Sequence, residues 1–161
     1  MGELRVEAEG TTLADVDAVW ALVSDANTYA QWGPWNDGGY DPPAKGPSVP
    51  GSVQWFRFGR RTTSIEKILE VDAPSRIVYM VVRGIPVKNY RAEVTLTPNV
   101  PSGTSIRWAA TWDDALMGRL VHRKLQTVYR QVMDALVAET DGHHVVDGSE
   151  RPGIATRHER S

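Results

Sequence analysis

The 161-residue chain contains no cysteine, which excludes disulfides, thiolate metal sites and thiol nucleophiles together. It also has no excess of positive charge, because 18 basic residues stand against 20 acidic ones and the formal net charge is -2. Without a broad positive field to attract a phosphate backbone, we do not expect a nucleic-acid partner.

Long apolar runs are absent as well. The opening "MGELRVEAEG" has no apolar leader, and no stretch approaches the roughly 18 apolar residues of a membrane-spanning helix. We therefore expect a cytoplasmic protein without integral membrane association. Motifs for a Ser-His-Asp triad, a phosphate-binding loop, a dinucleotide site or paired catalytic carboxylates are also missing, so we expect no cofactor and no metal. The oligomeric state is left open.

Hydrophobic periodicity divides the chain into elements. Leu4, Val6 and Ala8 alternate with polar residues and predict a first strand. Asp15 can cap a short helix, and Ser24 or Asp25 can cap a second one that ends at Trp32. Five strand-like runs separated by turn residues follow, and they predict an antiparallel meander: "GSVQWFRFG", "TTSIEKILEV", "SRIVYMVVR", "NYRAEVTLTP" and "GTSIRWAATW".

A long amphipathic helix comes last. Apolar residues recur every three or four positions from Met117 to Leu136, so a helix is predicted from Asp113 or Asp114 to about Glu139. Residues 141–161 show no periodicity and predict a flexible tail after a single domain of residues 1–140. The segment 33–47 is rich in Gly and Pro, and no regular element is expected there.

Several segments resemble blocks of the START-like (SRPBCC) superfamily, in its polyketide cyclase/dehydrase branch. The most specific is "ADVDAVWALVSDANTYAQWGPW", and the resemblance covers about Leu4 to Glu139. It implies an α+β helix-grip fold, in which a curved antiparallel sheet of about six strands wraps around the long C-terminal helix, with two short helices after strand one. It also implies an elongated cavity between the sheet and the helix.

Two tryptophans flank the Gly33-Pro34 pair. In a helix-grip fold the short helices close one end of the cavity, so Trp32 and Trp35 are expected at its rim as ligand contacts. The alternative is that Trp32 anchors the short helix in the core and Trp35 covers it, since large aromatics near a core more often serve packing.

Strand alternation sorts other candidates for the cavity wall. The inward positions of the last two strands include Tyr90, Trp108 and Trp112. "IVYMVV" is apolar on both faces and leaves open whether Tyr79 or Met80 points inward; Tyr79 is kept as a ligand-binding candidate.

The run "VQWFRF" is equally ambiguous, because both of its faces contain aromatic residues. We favour Trp55 and Arg57 facing inward, where Arg57 would need a partner such as a ligand carboxylate or phenolate. The alternative places Arg57 outside, in solvent.

On the long helix, His122 and Tyr129 are seven residues apart and lie on one flank of the apolar stripe. They can orient a ligand hydroxyl or move a proton, and His122, Tyr90 and Tyr129 are the candidate catalytic groups. Alternatively, both tips reach solvent from the edge of the helix.

These features favour a carrier or binding protein for a small hydrophobic molecule, aromatic, polyketide-like or acyl. A polyketide cyclase/aromatase-type enzyme that closes a polyketone by aldol cyclisation and dehydration is the first alternative, because such chemistry needs little beyond confinement and one acid/base group. A protein-interaction module is the second alternative.

Overall fold

The computed structural model describes residues 2–60 and 62–149, with side chains described up to residue 142. Its elements are strand β1 (Glu3–Thr12), helix α1 (Val16–Val23), a 3-10 helix (Ala26–Thr28), helix α2 (Tyr29–Trp32), strands β2 (Asp37–Tyr40), β3 (Val53–Phe58), β4 (Thr62–Asp72), β5 (Arg76–Arg83), β6 (Arg91–Pro98) and β7 (Thr104–Asp113), and helix α3 (Leu116–Ser149).

The strands form one curved antiparallel sheet in the order β1-β7-β6-β5-β4-β3-β2. From β2 to β7, each strand pairs with the next strand in the chain, and β1 pairs with β7 at one edge of the sheet. The long helix lies against one face of this sheet, and the α+β helix-grip fold is confirmed.

The sheet has seven strands among the described residues, one more than predicted. The additional strand, β2, forms in the Gly/Pro-rich segment in which no regular element was expected. Its four residues pair with β3, from Asp37 opposite Arg57 to Tyr40 opposite Gln54. An existing strand edge supplies hydrogen-bond partners that the local sequence does not specify, and this pairing overrides the low strand propensity of glycine.

The side chains that cap the short helices are among those predicted from the sequence. The Asp15 side chain accepts from the backbone N–H of Ala18 at 2.9 Å, and the Asp25 side chain accepts from that of Asn27 at 3.0 Å. Each bond satisfies a donor that the first turn of a helix leaves unpaired. Both short helices were predicted; α1 buries Val19 and Val23, and α2 buries Tyr29 and Trp32.

Helix α3 packs closely across β1. A side chain at Gly10 would collide with Met133 and Val137, so only glycine allows this approach. Further along, the Thr140 hydroxyl donates to Thr12 at 2.8 Å, and the Asp141 carboxylate accepts from the Thr12 hydroxyl at 2.6 Å. These contacts hold α3 on β1 beyond the point at which the helix was predicted to end.

The predicted end of this helix, at about Glu139, is therefore wrong, since α3 continues to Ser149. The weak amphipathic pattern of its last residues concealed a continuation that the Asp141 contacts support. The flexible tail predicted from residue 141 overlaps the end of α3 at residues 141–149. Its remaining part, 150–161, lies outside the described residues.

Candidate functional site

A cleft opens between α3 and the inner face of the sheet, and it narrows inward. Its outer part has a volume of about 270 Å³ and its inner end about 80 Å³. Five residues line both parts and show that they are continuous: Trp35, Ser64, Ile85, Leu125 and Val128. A mostly apolar cleft with a few polar groups is the usual form of a small-molecule site.

The outer part of the cleft is mainly apolar. The loop after β5 contributes Ile85 and Pro86, and α3 contributes Val121 and Lys124. Lys124 is the one basic side chain among the residues that line either part. This part of the cleft therefore presents a mainly apolar surface.

The inner end is aromatic and polar at once. Tyr79, Tyr90, Trp108 and Tyr129 line it, and each is at most 7% exposed. The Trp108 indole N–H donates to the Tyr79 hydroxyl at 2.9 Å, and the hydroxyls of Tyr90 and Tyr129 are in hydrogen-bonding contact. Burial raises the pKa of Tyr79, Tyr90 and Tyr129, so all three phenols stay protonated.

A carboxyl group completes the inner end. Glu66 lies on β4, is 8% exposed, and accepts one hydrogen bond from the Gln54 side-chain amide at 3.4 Å. Burial away from water raises its pKa to about 8, and the bond from Gln54 only partly opposes this rise. Glu66 is therefore mostly a neutral acid at pH 7, because desolvation disfavours its charged form.

A buried polar relay holds Gln54 in position. Its side-chain oxygen accepts from the Ser48 hydroxyl at 3.5 Å, and the Ser48 and Tyr40 hydroxyls are 2.8 Å apart. Tyr40 in turn accepts from the backbone N–H of Ala26 at 3.1 Å. The relay leaves the amide N–H of Gln54 pointing at Glu66.

Several predicted orientations are confirmed. Tyr90, Trp108 and Trp112 are buried on the face toward α3, as strand alternation predicted. Tyr79, whose direction the sequence left open, points inward, whereas Met80 is 36% exposed. Of these residues Tyr79, Tyr90 and Trp108 line the inner end of the cleft, together with Tyr129 from α3.

The two rim tryptophans have different positions. Trp35 lines both parts of the cleft, and its ring folds back over Gly33, where any side chain would collide with it. Trp32 is 7% exposed, donates its indole N–H to Thr28 and packs against Tyr29, and it lies outside the cleft lining. Trp32 therefore matches the packing alternative, and Trp35 matches the rim position.

The inward orientation of Trp55 and Arg57 is wrong. Gln54 and Phe56 are the buried residues of β3, at 4% and 1% exposure, and Arg57 is exposed on the opposite face. There the Arg57 guanidinium lies 5.9 Å from the centre of the Trp55 ring. Because Arg57 is exposed, its charge remains in solvent and needs no buried partner.

His122 does not reach the cleft. Its Nε2–H donates to the backbone carbonyl of Arg5 at 2.7 Å, and its ring packs against Trp112 at 5.8 Å between centres. Trp112 stacks in turn on Tyr90 and donates to the carbonyl of Gly118. The fully buried Trp112 ring thus separates His122 from the cleft, and the predicted pairing of His122 with Tyr129 at one site is wrong.

Sequence reasoning missed Glu66. The signal was present in "TTSIEKILEV", because Glu66 shares its parity with Ile68, which is 1% exposed. A carboxyl at a core-facing strand position is costly and often functional. The pairing of β4 with β5 shifts register before Glu66 and after Ile68, and these irregularities make the alternation of inward and outward residues along β4 hard to recognise.

A larger depression, about 560 Å³, lies on the opposite face of the sheet. It is open and lined by Glu, Thr, Ser and Arg side chains of β1, β6 and β7, among which Arg107 forms an ion pair with Glu7 at 2.5 Å. The cleft between α3 and the sheet is the better candidate for a ligand site because it is more enclosed and more apolar.

Within the described part of the chain, no group of three or more acidic or histidine side chains is arranged to hold a metal, and no helix has the length and apolar character to cross a membrane.

Comparisons with known proteins agree with this architecture. A family model described as "Polyketide cyclase / dehydrase and lipid transport" matches residues 3–141. No curated protein sequence matches the chain.

Solved structures show the same fold. A protein from Nitrosospira multiformis has a TM-score of 0.73 and 18% identity, over 88% of this chain and 99% of that one. A protein from Thermobifida fusca has a TM-score of 0.69 and 24% identity, over 87% and 93%. XoxI from Bacillus cereus has a TM-score of 0.67 and 17% identity, over 87% and 96%.

Proposed function

Because the chain belongs to the polyketide cyclase/dehydrase and lipid transport family, we propose that it binds a small, largely apolar molecule in the cleft between α3 and the sheet, as a carrier or binding protein. The supporting observation is the gradient along the cleft. Its outer part is lined by residues such as Ile85, Val121 and Leu125, and its inner end by three tyrosines and Glu66.

This gradient favours a ligand with an apolar body and a polar leading end. Burial of apolar surface in the outer part would supply most of the affinity, at about 25 cal/mol per Å². The hydroxyls at the inner end would fix the orientation of the ligand, because a misplaced ligand would leave buried polar groups unpaired.

Filling the cleft tests the proposal. Val128 lines both parts, so Val128→Trp should block the passage, whereas Val82→Trp places the same side chain on β5 at a residue that is 58% exposed and outside the cleft lining. We expect calorimetric titration with naphthyl and fatty-acyl probes to reveal one saturable site in the parent protein and in Val82→Trp, and no binding to Val128→Trp. Equal binding to both variants, or no binding by any probe, would reject the proposal.

An enzyme of the cyclase/aromatase type is the second candidate, and Glu66 is the observation that favours it. A carboxyl with a pKa of about 8 exists in both forms near neutral pH, which suits proton transfer. In an aldol closure its carboxylate would take the proton next to a ketone, the enolate carbon would attack a second carbonyl, and the new alkoxide would take the proton back. Loss of one water then completes the dehydration, without an oxidant or reductant.

Incubation with a linear poly-β-ketone separates the two candidates. An enzyme would accelerate formation of the cyclised, dehydrated product, and Glu66→Gln would lower that rate by about 100-fold or more. A carrier would release the polyketone unchanged, and the rate of cyclisation would not depend on Glu66.

A further inference from the structure

Glu66 has one carboxyl oxygen with no protein partner among the described residues. Its Oε2 accepts from Gln54, and this is the single hydrogen bond that the Glu66 side chain forms there. Because Gln54 presents an N–H, it requires an acceptor at Oε2. The proton of the neutral acid therefore lies on Oε1, which is left to the cleft that Glu66 lines.

The relay behind Gln54 is compatible with this arrangement, because Ser48 donates to the Gln54 oxygen and leaves the Gln54 N–H for Glu66. Every fully buried side-chain nitrogen and oxygen in the described part of the chain has a partner, so the unpartnered Oε1 of Glu66 is accessible from the cleft. The inner end is therefore built to offer a hydrogen-bond donor to whatever enters it.

Among the described residues that line the inner end, none carries a positive charge, and Lys124, the one basic residue of the cleft lining, belongs to its outer part. Gln54 approaches from β3, Tyr79 from β5 and Tyr129 from α3, and Tyr90 lies directly before β6. Tyr29 of α2 lies near enough for its pKa to be raised by Glu66. All four of these phenols have raised pKa values, with burial as the main cause, so they remain neutral donors. Glu66 is thus the group at the inner end that titrates near neutral pH.

We propose that Glu66, as a neutral acid, donates a hydrogen bond to an uncharged acceptor oxygen of the ligand, a ketone or phenol oxygen, and that the cleft thereby rejects carboxylates of the same shape. This inference rests on the proposed function, since it concerns which ligand the same cleft takes. A carboxylate entering the inner end would lose its hydration and meet an acidic group without a neighbouring cation, and both effects disfavour it.

Three probes of matched shape test this selectivity: methyl naphthyl ketone, naphthoate and naphthylethylammonium, all attached at the same ring position. In calorimetric titrations at about pH 7, we expect the ketone to bind at least about tenfold more tightly than naphthoate. We expect ketone affinity to be constant below a pH of about 8, the pKa of Glu66, and to fall above it by up to about tenfold per pH unit. The ketone itself does not titrate in this range, so the change reports the protein.

Two substitutions separate the donor from the charge. Glu66→Gln keeps a neutral donor in the same place, so ketone affinity at about pH 7 should be retained and its loss at higher pH abolished. Glu66→Leu removes the donor, so ketone affinity should fall by about tenfold. Binding of unsubstituted naphthalene by Glu66→Leu shows that the cleft remains folded.

The outcomes distinguish the inference from the proposed function. If the parent protein binds no probe, including naphthalene, both are rejected. If ketone and naphthoate bind equally and independently of Glu66, the cleft still binds ligands but the inference is wrong. Preference for naphthylethylammonium, with affinity that rises with pH, would also overturn it, because Glu66 would then act as a carboxylate that pairs with a cation.

Discussion

Trp108 on β7 donates its indole N–H to the hydroxyl of Tyr79 on β5 at 2.9 Å, across the intervening strand β6. Both side chains are buried, at 4% and 6% exposure. The bond therefore couples two walls of the inner end and fixes the Tyr79 hydroxyl beside Glu66.

Removing the Tyr79 hydroxyl should leave the Trp108 N–H buried without a partner. We expect Tyr79→Phe to lower the free energy of unfolding by about 1–3 kcal/mol, measured by urea denaturation. A double-mutant cycle with Trp108→Phe provides the control, because removing both partners leaves no orphaned donor. If the two substitutions are simply additive, the bond does not contribute in this way.

Trp35 lines both parts of the cleft, whereas Trp55 lies on the outer face of the sheet. Loss of the Trp35 ring removes apolar wall, so Trp35→Ala should weaken binding of a naphthyl ketone by about tenfold or more. Trp55→Ala, the same truncation outside the cleft, should leave affinity within about twofold. Calorimetry measures both, and equal losses would place the binding surface elsewhere.

His122 was one of the three candidate catalytic groups predicted from the sequence, and the structure changes the expected result of its substitution. Since Trp112 lies between His122 and Tyr90, His122→Ala should leave ligand affinity and any turnover unchanged. It should cost about 1 kcal/mol of stability through loss of the bond to the Arg5 carbonyl. A fall in turnover of 100-fold, with stability intact, would restore His122 to the site.

The fold could be predicted because its signals are long and redundant. The apolar stripe of α3 and the alternation in β6 and β7 extend over many residues, and the inward orientation of Tyr90 and Trp108 follows from them. In β3 this information is missing, since Trp55 and Phe56 give both faces an aromatic residue. Contacts with distant segments accompany the observed orientation, since Phe56 stacks on Tyr29 and Gln54 bonds to Glu66.

The candidate site depended on interactions between distant segments. His122 and Tyr129 share a flank of α3 but have different partners. His122 contacts the Arg5 carbonyl of β1 and the Trp112 ring, whereas Tyr129 contacts Tyr90. The role of Glu66 depends on the Gln54 side chain of the neighbouring strand β3 and on the relay that holds Gln54. Neither can be obtained from the spacing of residues along one element.

The stability of the protein should depend on pH through Glu66. Its carboxyl loses its proton at about 4.5 in the unfolded chain and at about 8 in the fold. Between these values the folded state binds more protons, so stability falls as pH rises and levels off above about pH 8. The full change is on the order of 5 kcal/mol.

Urea denaturation at a series of pH values measures this dependence. Glu66→Gln removes the titrating group, so its profile should be flatter than that of the parent protein over the same window. Identical profiles for the two proteins would show that Glu66 is ionised in the fold.

The most direct test of ligand binding in the inner cleft is a map of backbone amide chemical shifts on titration with methyl naphthyl ketone. We predict that the shifts concentrate at Trp35, Ser64, Glu66 and Val128 and saturate with one ligand bound, because these residues line the cleft. Two results would contradict the account: shifts confined to the depression on the opposite face of the sheet, at residues such as Thr95 and Arg107, or the absence of saturable shifts.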